Sequence, residues 1–278
     1  MSAILITTLV ITVIGIVVGF GLVATGKKFY VEVDERETAV RAALPGNNCG
    51  ACGFAGCDAM AVAIVKGEAP VNGCPVGNEP VANEIGKIMG VQADEVIRGV
   101  ALVRCKGTCQ ATSNQANYVG VGDCRNAQLN GIRFTSCDYG CLGLGSCVKV
   151  CPEQAISIRD GVAVVDPFRC VGCGLCAKAC PRGLIELVPE NRHIAVQCRN
   201  QDKGPLVRKV CSAGCIGCML CTKLCPTGAI TVTNNVAHID YEQCVECGKC
   251  AEKCPAKVIT LRTLPDDLKP KAEGESHE

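Results

Sequence analysis

The spacing of its cysteines constrains this chain more than any other feature. Cys170-x2-Cys173-x2-Cys176-x3-Cys180-Pro recurs as Cys215, Cys218, Cys221 and Cys225-Pro, and again as Cys244, Cys247, Cys250 and Cys254-Pro. The chain holds 25 cysteines in 278 residues, and an odd count fits a disulfide framework poorly. It also holds 31 Gly and 13 Pro, with four Tyr, five Phe and no Trp. So few aromatic residues cannot build the core of a glycine-rich chain, and either disulfides or metals must crosslink it. A formal net charge of +1 lacks the cationic excess that phosphate binding needs, so nucleic acid is not an expected partner. Collagen, coiled coil and polytopic membrane protein are excluded by composition.

Met1 to Gly26 contains no charged residue, which is enough apolar chain to span a bilayer as a helix. Lys27 and Lys28 follow at once, whereas a signal peptide carries its positive charge before the apolar run. This places the rest of the chain on the cytoplasmic side of the cell membrane, in a single pass. Gly15 and Gly19 form a GxxxG that permits close packing against a partner helix, or are incidental glycines of an anchor. In the cytoplasm thiols stay reduced, so dense cysteine means metal.

Behind the anchor, residues 29–44 read as a short connection and one helix, ended by Pro45-Gly46. Cys49-x2-Cys52-x4-Cys57-x16-Cys74 follows, with an amphipathic stretch closing at Gly67. Gly50, Gly53, Gly56 and Gly73 surround these cysteines and let the backbone approach a cluster closely. Residues 80–103 read as two more short helices, with Val81, Ile85, Ile88, Val96, Ile97, Val100 and Val103 as apolar positions. From Cys151 onward, Cys-Pro followed by a turn and a β-prone run appears four times. The offset is 29 residues within each pair (151 to 180, 225 to 254) and 74 between pairs. Val162–Val165 and Val236–Ile239 read as second strands of hairpins after the turns Arg159-Asp160-Gly161 and Asn234-Asn235. The Cys-Arg-Asn at Cys124 precedes Cys137 as the one at Cys198 precedes Cys211. In that alignment Leu144 stands opposite Cys218.

These readings divide the chain into an anchor (1–26), a helical 4Fe-4S module (29–104), a connecting segment with extra cysteines (105–136), two ferredoxin-like units (137–197 and 198–262) and a polar tail (263–278). The expected fold class is α+β: one N-terminal transmembrane helix, a small helical Fe-S module, then two tandem bacterial 2[4Fe-4S] ferredoxin-like units. The repeated run is that of bacterial ferredoxins, in which three close thiolates grip one cube and the fourth reaches the neighbouring cube. The expected sets are therefore Cys215, Cys218, Cys221 with Cys254; Cys244, Cys247, Cys250 with Cys225; and Cys170, Cys173, Cys176 with Cys151. Cys141, Cys147 and Cys180 lack a fourth ligand at Leu144. Cys137 is the first substitute, and a [3Fe-4S] cluster is the alternative. Cys49, Cys52, Cys57 and Cys74 form a separate [4Fe-4S] set. Of the remainder, Cys105, Cys109 and Cys124 with one more cysteine could build a sixth cluster, and any of them, with Cys198 and Cys211, could instead be buried free thiols. Zinc prefers separated CxxC pairs and has no use for the third and fourth positions of this run.

No glycine-rich nucleotide motif follows a strand, and no Ser/His/Asp set is present. His193, His238 and His277 are scattered. Glu153, Asp160 and Glu186 alternate with Arg159, Arg182 and Lys178, which reads as a solvated face. The chemistry left is single-electron transfer by cofactors.

The uncharged N-terminal helix, the Cys49–Cys74 motif and the ferredoxin runs together resemble the B-subunit family of the Rnf complexes, ion-translocating ferredoxin:NAD+ oxidoreductases. The resemblance covers nearly the whole chain, and its second ferredoxin unit is similar to extended forms found in anaerobes. It implies an electron-relay subunit without a substrate site of its own, with reduced ferredoxin as donor. The implied partners are the membrane and NADH-dehydrogenase-type subunits. Cys49, Cys52, Cys57 and Cys74 would form the exit toward the membrane, and the C-terminal clusters would receive the electrons. A membrane-tethered polyferredoxin serving another anaerobic enzyme and a zinc-bound interaction scaffold are the competing readings.

Overall fold

The computed structural model describes residues 2–28, 34–93, 97–112, 118–131 and 135–261. The polar tail with His277, and Val96, lie outside the described residues. Helix α1 (Ser2–Lys28) is the uncharged run. Its window Thr8–Thr25 has a mean hydropathy of 2.4 and none of it is buried against the rest of the chain. The hydroxyls of Thr12 and Thr25 donate to the carbonyls of Thr8 and Gly21, each at 2.8 Å, so these polar groups are satisfied within the helix.

Three helices form the next layer. Helix α2 (Glu35–Ala43) starts at Asp34, whose carboxylate accepts the N–H of Arg36 at 2.9 Å, and stops before Pro45. Helix α3 (Cys57–Val65) is apolar nearly all round, with Met60, Ala61, Ala63 and Ile64 buried. Helix α4 (Asn78–Met89) ends on Gly90 in the left-handed conformation, φ +69°. Val40, Met60, Ile64 and Ile85 meet between them, each at most 2% exposed. Each such side chain contributes about 1.5–3 kcal/mol of burial.

The second helix expected before residue 103 is instead strand β1 (Gly99–Val103). A short apolar run fits either state, and its partner decides. Helix α5 (Cys124–Leu129) and the short helix α6 (Ser146–Lys149) follow. Strands β2 (Ile156–Arg159) and β3 (Val162–Val165) make the expected hairpin, turning on Asp160 and Gly161 at φ +47° and +79°. Two consecutive left-handed residues match the twist of the flanking strands. After α7 (Leu175–Ala179), strand β4 (Ile185–Pro189) pairs antiparallel with β1, Val103 opposite Ile185.

The second unit repeats the plan. Strand β5 (Ile194–Val196), helices α8 (Gly204–Val210) and α9 (Leu220–Leu224), and the hairpin β6 (Ile230–Thr233) and β7 (Val236–Ile239) lead to α10 (Lys249–Glu252) and β8 (Ile259–Leu261). The hairpin turns on Asn234 and Asn235, φ +49° and +61°. Strand β8 pairs with β5, Val196 opposite Ile259. Each unit thus takes one strand from the segment before it. β5, at the end of the residues assigned to the first unit by sequence, pairs with the second. Leu102, Val188 and Ala195 pack together with Tyr241 against them, joining the two units in one core.

Candidate metal centres

Each ferredoxin run folds the same way. In Cys170–Cys176 the left-handed residues are Gly172 and Gly174; in Cys215–Cys221 they are Gly217 and Met219; in Cys244–Cys250 they are Glu246 and Gly248. The chain curls at these points so that successive thiols turn to one side. The run around Leu144 has the same backbone, with Gly143 and Gly145 at φ +70° and +75°. It has lost the thiol and kept the loop.

Five partly open cavities of about 330–400 Å³ lie among the described residues, and each has at least four cysteines on its wall. Cys49, Cys52, Cys57 and Cys74 line one. Cys215, Cys218, Cys221 and Cys254 line the second, and Cys225, Cys244, Cys247 and Cys250 the third. Both second-unit sets are those expected from the spacing, with the last cysteines exchanged between runs. Cys151, Cys170, Cys173 and Cys176 also gather, close enough for their charges to interact.

The cavity beside Leu144 differs from expectation. Cys124, not Cys137, shares it with Cys141, Cys147 and Cys180. Helix α5 carries Cys124 there because Asp123 caps it, accepting the N–H groups of Arg125 and Asn126 at 3.0 Å, and reaches Ser146 beside Cys147. Cys137 lines a fifth cavity with Cys105, Cys198 and Cys211. The trio Cys105, Cys109 and Cys124 is therefore split: Cys109 is exposed, its N–H bound to the carbonyl of Asp160 at 2.9 Å. The repeated Cys-Arg-Asn at 124 and 198 was the sequence signal for Cys124. Arg104, Thr112 and Asn200, all buried at the fifth cavity, gave none.

The electrostatics suit thiolates held by a cationic centre. Burial pushes the Cys105, Cys147 and Cys176 thiols up to about 12 and Cys221 to about 11. Backbone N–H groups nonetheless point at sulfur: Ala101 to Cys170 and Leu184 to Cys180 at 3.4 Å, Ala155 to Cys151 at 3.3 Å. At Cys225 burial is outweighed by the Thr227 hydroxyl and by the N–H groups of Thr227, Ile230 and Ala229, and the thiol falls below its usual range. Dry, crowded thiols surrounded by N–H donors are stable as anions only around a positively charged core. Among the described residues no three His, Cys, Asp or Glu side chains converge on the position of a single ion. Thiols spread over walls of this size suit a polynuclear cluster, not tetrahedral zinc.

Of the histidines, His193 faces Glu246, whose carboxylate lies 3.1 Å from Nδ1, and His238 lies half exposed, 4.0 Å from Glu186. Neither lines a cysteine cavity.

This fold and these sites define an iron–sulfur electron-transfer protein of the polyferredoxin class with an N-terminal apolar helix. The comparisons with known proteins agree. A family model described as "Putative Fe-S cluster" matches residues 44–76, and 4Fe-4S dicluster domain models match 136–184, 214–258 and 169–230. The chain is 46% identical to the B subunit of the Na(+)-translocating ferredoxin:NAD(+) oxidoreductase complex of Acetobacterium woodii, over 88% of this chain and 74% of the relative. It is 44% identical to the B subunit of the ion-translocating oxidoreductase complex of Methanosarcina acetivorans, over 94% of this chain and 100% of the relative. It is 42% identical to the B subunit of the proton-translocating ferredoxin:NAD(+) oxidoreductase complex of Clostridium ljungdahlii, over 88% of this chain and 87% of the relative. The chain belongs to the family of B subunits of ion-translocating oxidoreductase (Rnf) complexes. It is part of an oxidoreductase complex, carries 4Fe-4S clusters and has other subunits of that complex as partners.

Proposed function

We propose that this chain accepts electrons from reduced ferredoxin at its C-terminal unit and delivers them to the membrane subunits of its complex near residues 49–74. Bound [4Fe-4S] clusters supply the single-electron chemistry. The residues that would hold them are Cys49, Cys52, Cys57 and Cys74; Cys151, Cys170, Cys173 and Cys176; Cys124, Cys141, Cys147 and Cys180; Cys215, Cys218, Cys221 and Cys254; and Cys225, Cys244, Cys247 and Cys250. What the chain itself does is fix these sites in an unbroken order.

The observation that carries the reading is this succession. Cys49 lies within charge interaction of Cys173, and Cys176 within that of Cys147. The N–H of Cys141 donates to Cys105 at 3.4 Å, and that of Cys215 to Cys198 at 3.3 Å. From the helical module into the second unit, each group of cysteines adjoins the next. The order agrees with the chain: the Cys49 group is nearest in sequence to α1, and the Cys244 group is farthest from it. Lys27 and Lys28 at the end of α1 support a cytoplasmic soluble part. A zinc scaffold requires no continuity between the groups, and a membrane-tethered polyferredoxin serving another enzyme lacks the support that the B-subunit relatives give this reading.

The test is ferredoxin-driven NAD+ reduction by the assembled, membrane-bound complex with Cys52→Ala in this chain. Loss of that activity, with the complex intact and the C-terminal clusters still reducible by ferredoxin, is expected. Unchanged turnover would overturn the proposed exit.

A further inference from the structure

The cavity that no ferredoxin run explains lies between the two units. We propose that Cys105, Cys137, Cys198 and Cys211 hold a sixth [4Fe-4S] cluster there, bridging the first ferredoxin unit to the second. This deepens the relay reading above and rests on it for its role, though not for its existence. None of the family matches assigns it. Three of the four cysteines fall outside the dicluster domains at 136–184 and 214–258, and the match at 169–230 spans only Cys198 and Cys211.

Four observations converge on a ligand. The cavity is about 400 Å³, as large as any of the ferredoxin-type cavities, and the four cysteines are on its wall. Cys137, Cys198 and Cys211 are at most 8% exposed. Second, sulfur already receives the donors that cluster thiolates use. Buried Asn200 donates through Nδ2 to Cys137 and through its backbone N–H to Cys198, each at 3.4 Å. Third, Gly107 puts bare backbone on this wall between two of the thiols; a Cβ there would be in ordinary contact, 3.5 Å from the Cys211 sulfur and 3.6 Å from that of Cys105. Fourth, two buried polar atoms on this wall have no partner, Nε of Arg104 and Oγ1 of Thr112. These residues are 7% and 8% exposed. An orphaned donor costs about 1–3 kcal/mol unless something accepts from it. The inorganic sulfides of an anionic cluster are acceptors at this place.

The repeat explains why the thiols are available. Cys105 and Cys198 hold equivalent places in the two units, each separated by one residue from the leading strand and each accepting the N–H of the next run's first cysteine, Cys141 and Cys215. In the first, Cys124 lines the cavity whose run has Leu144 in place of a thiol. In the second, Cys218 is present, and Cys198, like Cys105 in the first, lines the central cavity. The flanking groups are in direct contact on both sides, through the Cys141–Cys105 and Cys215–Cys198 hydrogen bonds. An electron crossing between the units would pass through this site. It arrives singly from one side and leaves singly on the other, with no proton or bond change.

The test uses the full-length chain purified anaerobically, with iron, acid-labile sulfide and zinc counted per chain and cluster masses read by native mass spectrometry. The wild type is expected to carry about 24 irons with matching sulfide. Cys105→Ala and Cys211→Ala should each lose about four irons and four sulfides, and Cys109→Ala, outside the cavity, none. If a variant fails to fold, the wild-type mass decides: six cluster masses support the proposal and five overturn it. About 20 irons with one zinc would overturn the cluster while leaving the relay reading intact. Little iron or sulfide overall would sink both.

Discussion

The backbone N–H of Cys124 donates to the hydroxyl of Ser146 at 2.7 Å, and the hydroxyl donates onward to Asp123 at 2.8 Å. This relay locks the start of α5 to the start of α6, and so holds Cys124 beside Cys147. It is how a cysteine distant in sequence comes to stand in for the thiol that position 144 lacks.

Cys124→Ala is therefore expected to damage the cluster beside Leu144, with loss of about one to four irons per chain, as conversion to [3Fe-4S] or loss of the cube. Adding Leu144→Cys should restore the iron, because Gly143 and Gly145 already hold the loop in the form that presents a thiol. Iron counts and low-temperature EPR of the single and double variants check this. A double variant no better than Cys124→Ala would show that the loop alone does not suffice.

Ser146→Ala leaves the buried N–H of Cys124 without its acceptor and costs about 1–3 kcal/mol. The iron content should be normal on fresh protein. Faster bleaching of the visible iron–sulfur absorption on warming is the expected reading, and bleaching at the wild-type rate would contradict it.

Gly172 and Gly248 separate two effects of glycine. Their φ values are +72° and +74°, so alanine strains either one by about 1–2 kcal/mol. A Cβ at Gly172 would in addition overlap the carbonyl of Gly99 in β1, whereas nothing lies within 4 Å at Gly248. Gly172→Ala should lower the unfolding midpoint clearly more than Gly248→Ala. Equal shifts would mean that β1 yields freely.

Removing residues 1–28 should leave the metal content unchanged and free the chain from membranes, because the window Thr8–Thr25 buries nothing against the rest of the molecule. Iron per chain and flotation with lipid vesicles measure the two halves of this statement. Lost iron would reveal a folding role for α1.

The parts legible in the sequence were those set by local chemistry. The hairpin β2–β3 was marked by Asp160-Gly161 and the hairpin β6–β7 by Asn234-Asn235, residues that tolerate left-handed turns. The cysteine spacing grouped Cys215 with Cys254 and Cys225 with Cys244 because exchanged ligands follow from the run itself. What stayed hidden was non-local. Strand β1 pairs with β4 across the whole first unit, and its five residues carry no period that separates strand from helix. The spacing offered Cys137 for the vacancy at Leu144, and only the folded chain, through the Ser146 contact, brings Cys124 there instead. Arg104, Thr112 and Asn200 are ordinary polar residues until the folded chain buries them beside sulfur.

The two borrowed strands bear on how this chain arose. Val103 and Val196 occupy equivalent places, facing Ile185 and Ile259 in the last strand of each unit. After each, a single residue leads to a cysteine, Arg104 to Cys105 and Gln197 to Cys198, but only in the first unit do residues 106–123 separate that cysteine from the Cys-Arg-Asn sequence. If the units descend from one gene segment, its breakpoint lay ahead of the leading strand, since a copy cut at the first cysteine would have had no partner for its final strand. That segment has no counterpart in the second copy, and it carries Thr112 on the seam between them. An insertion inside the first copy, away from the joint, would then have added a wall to the site where the two copies abut.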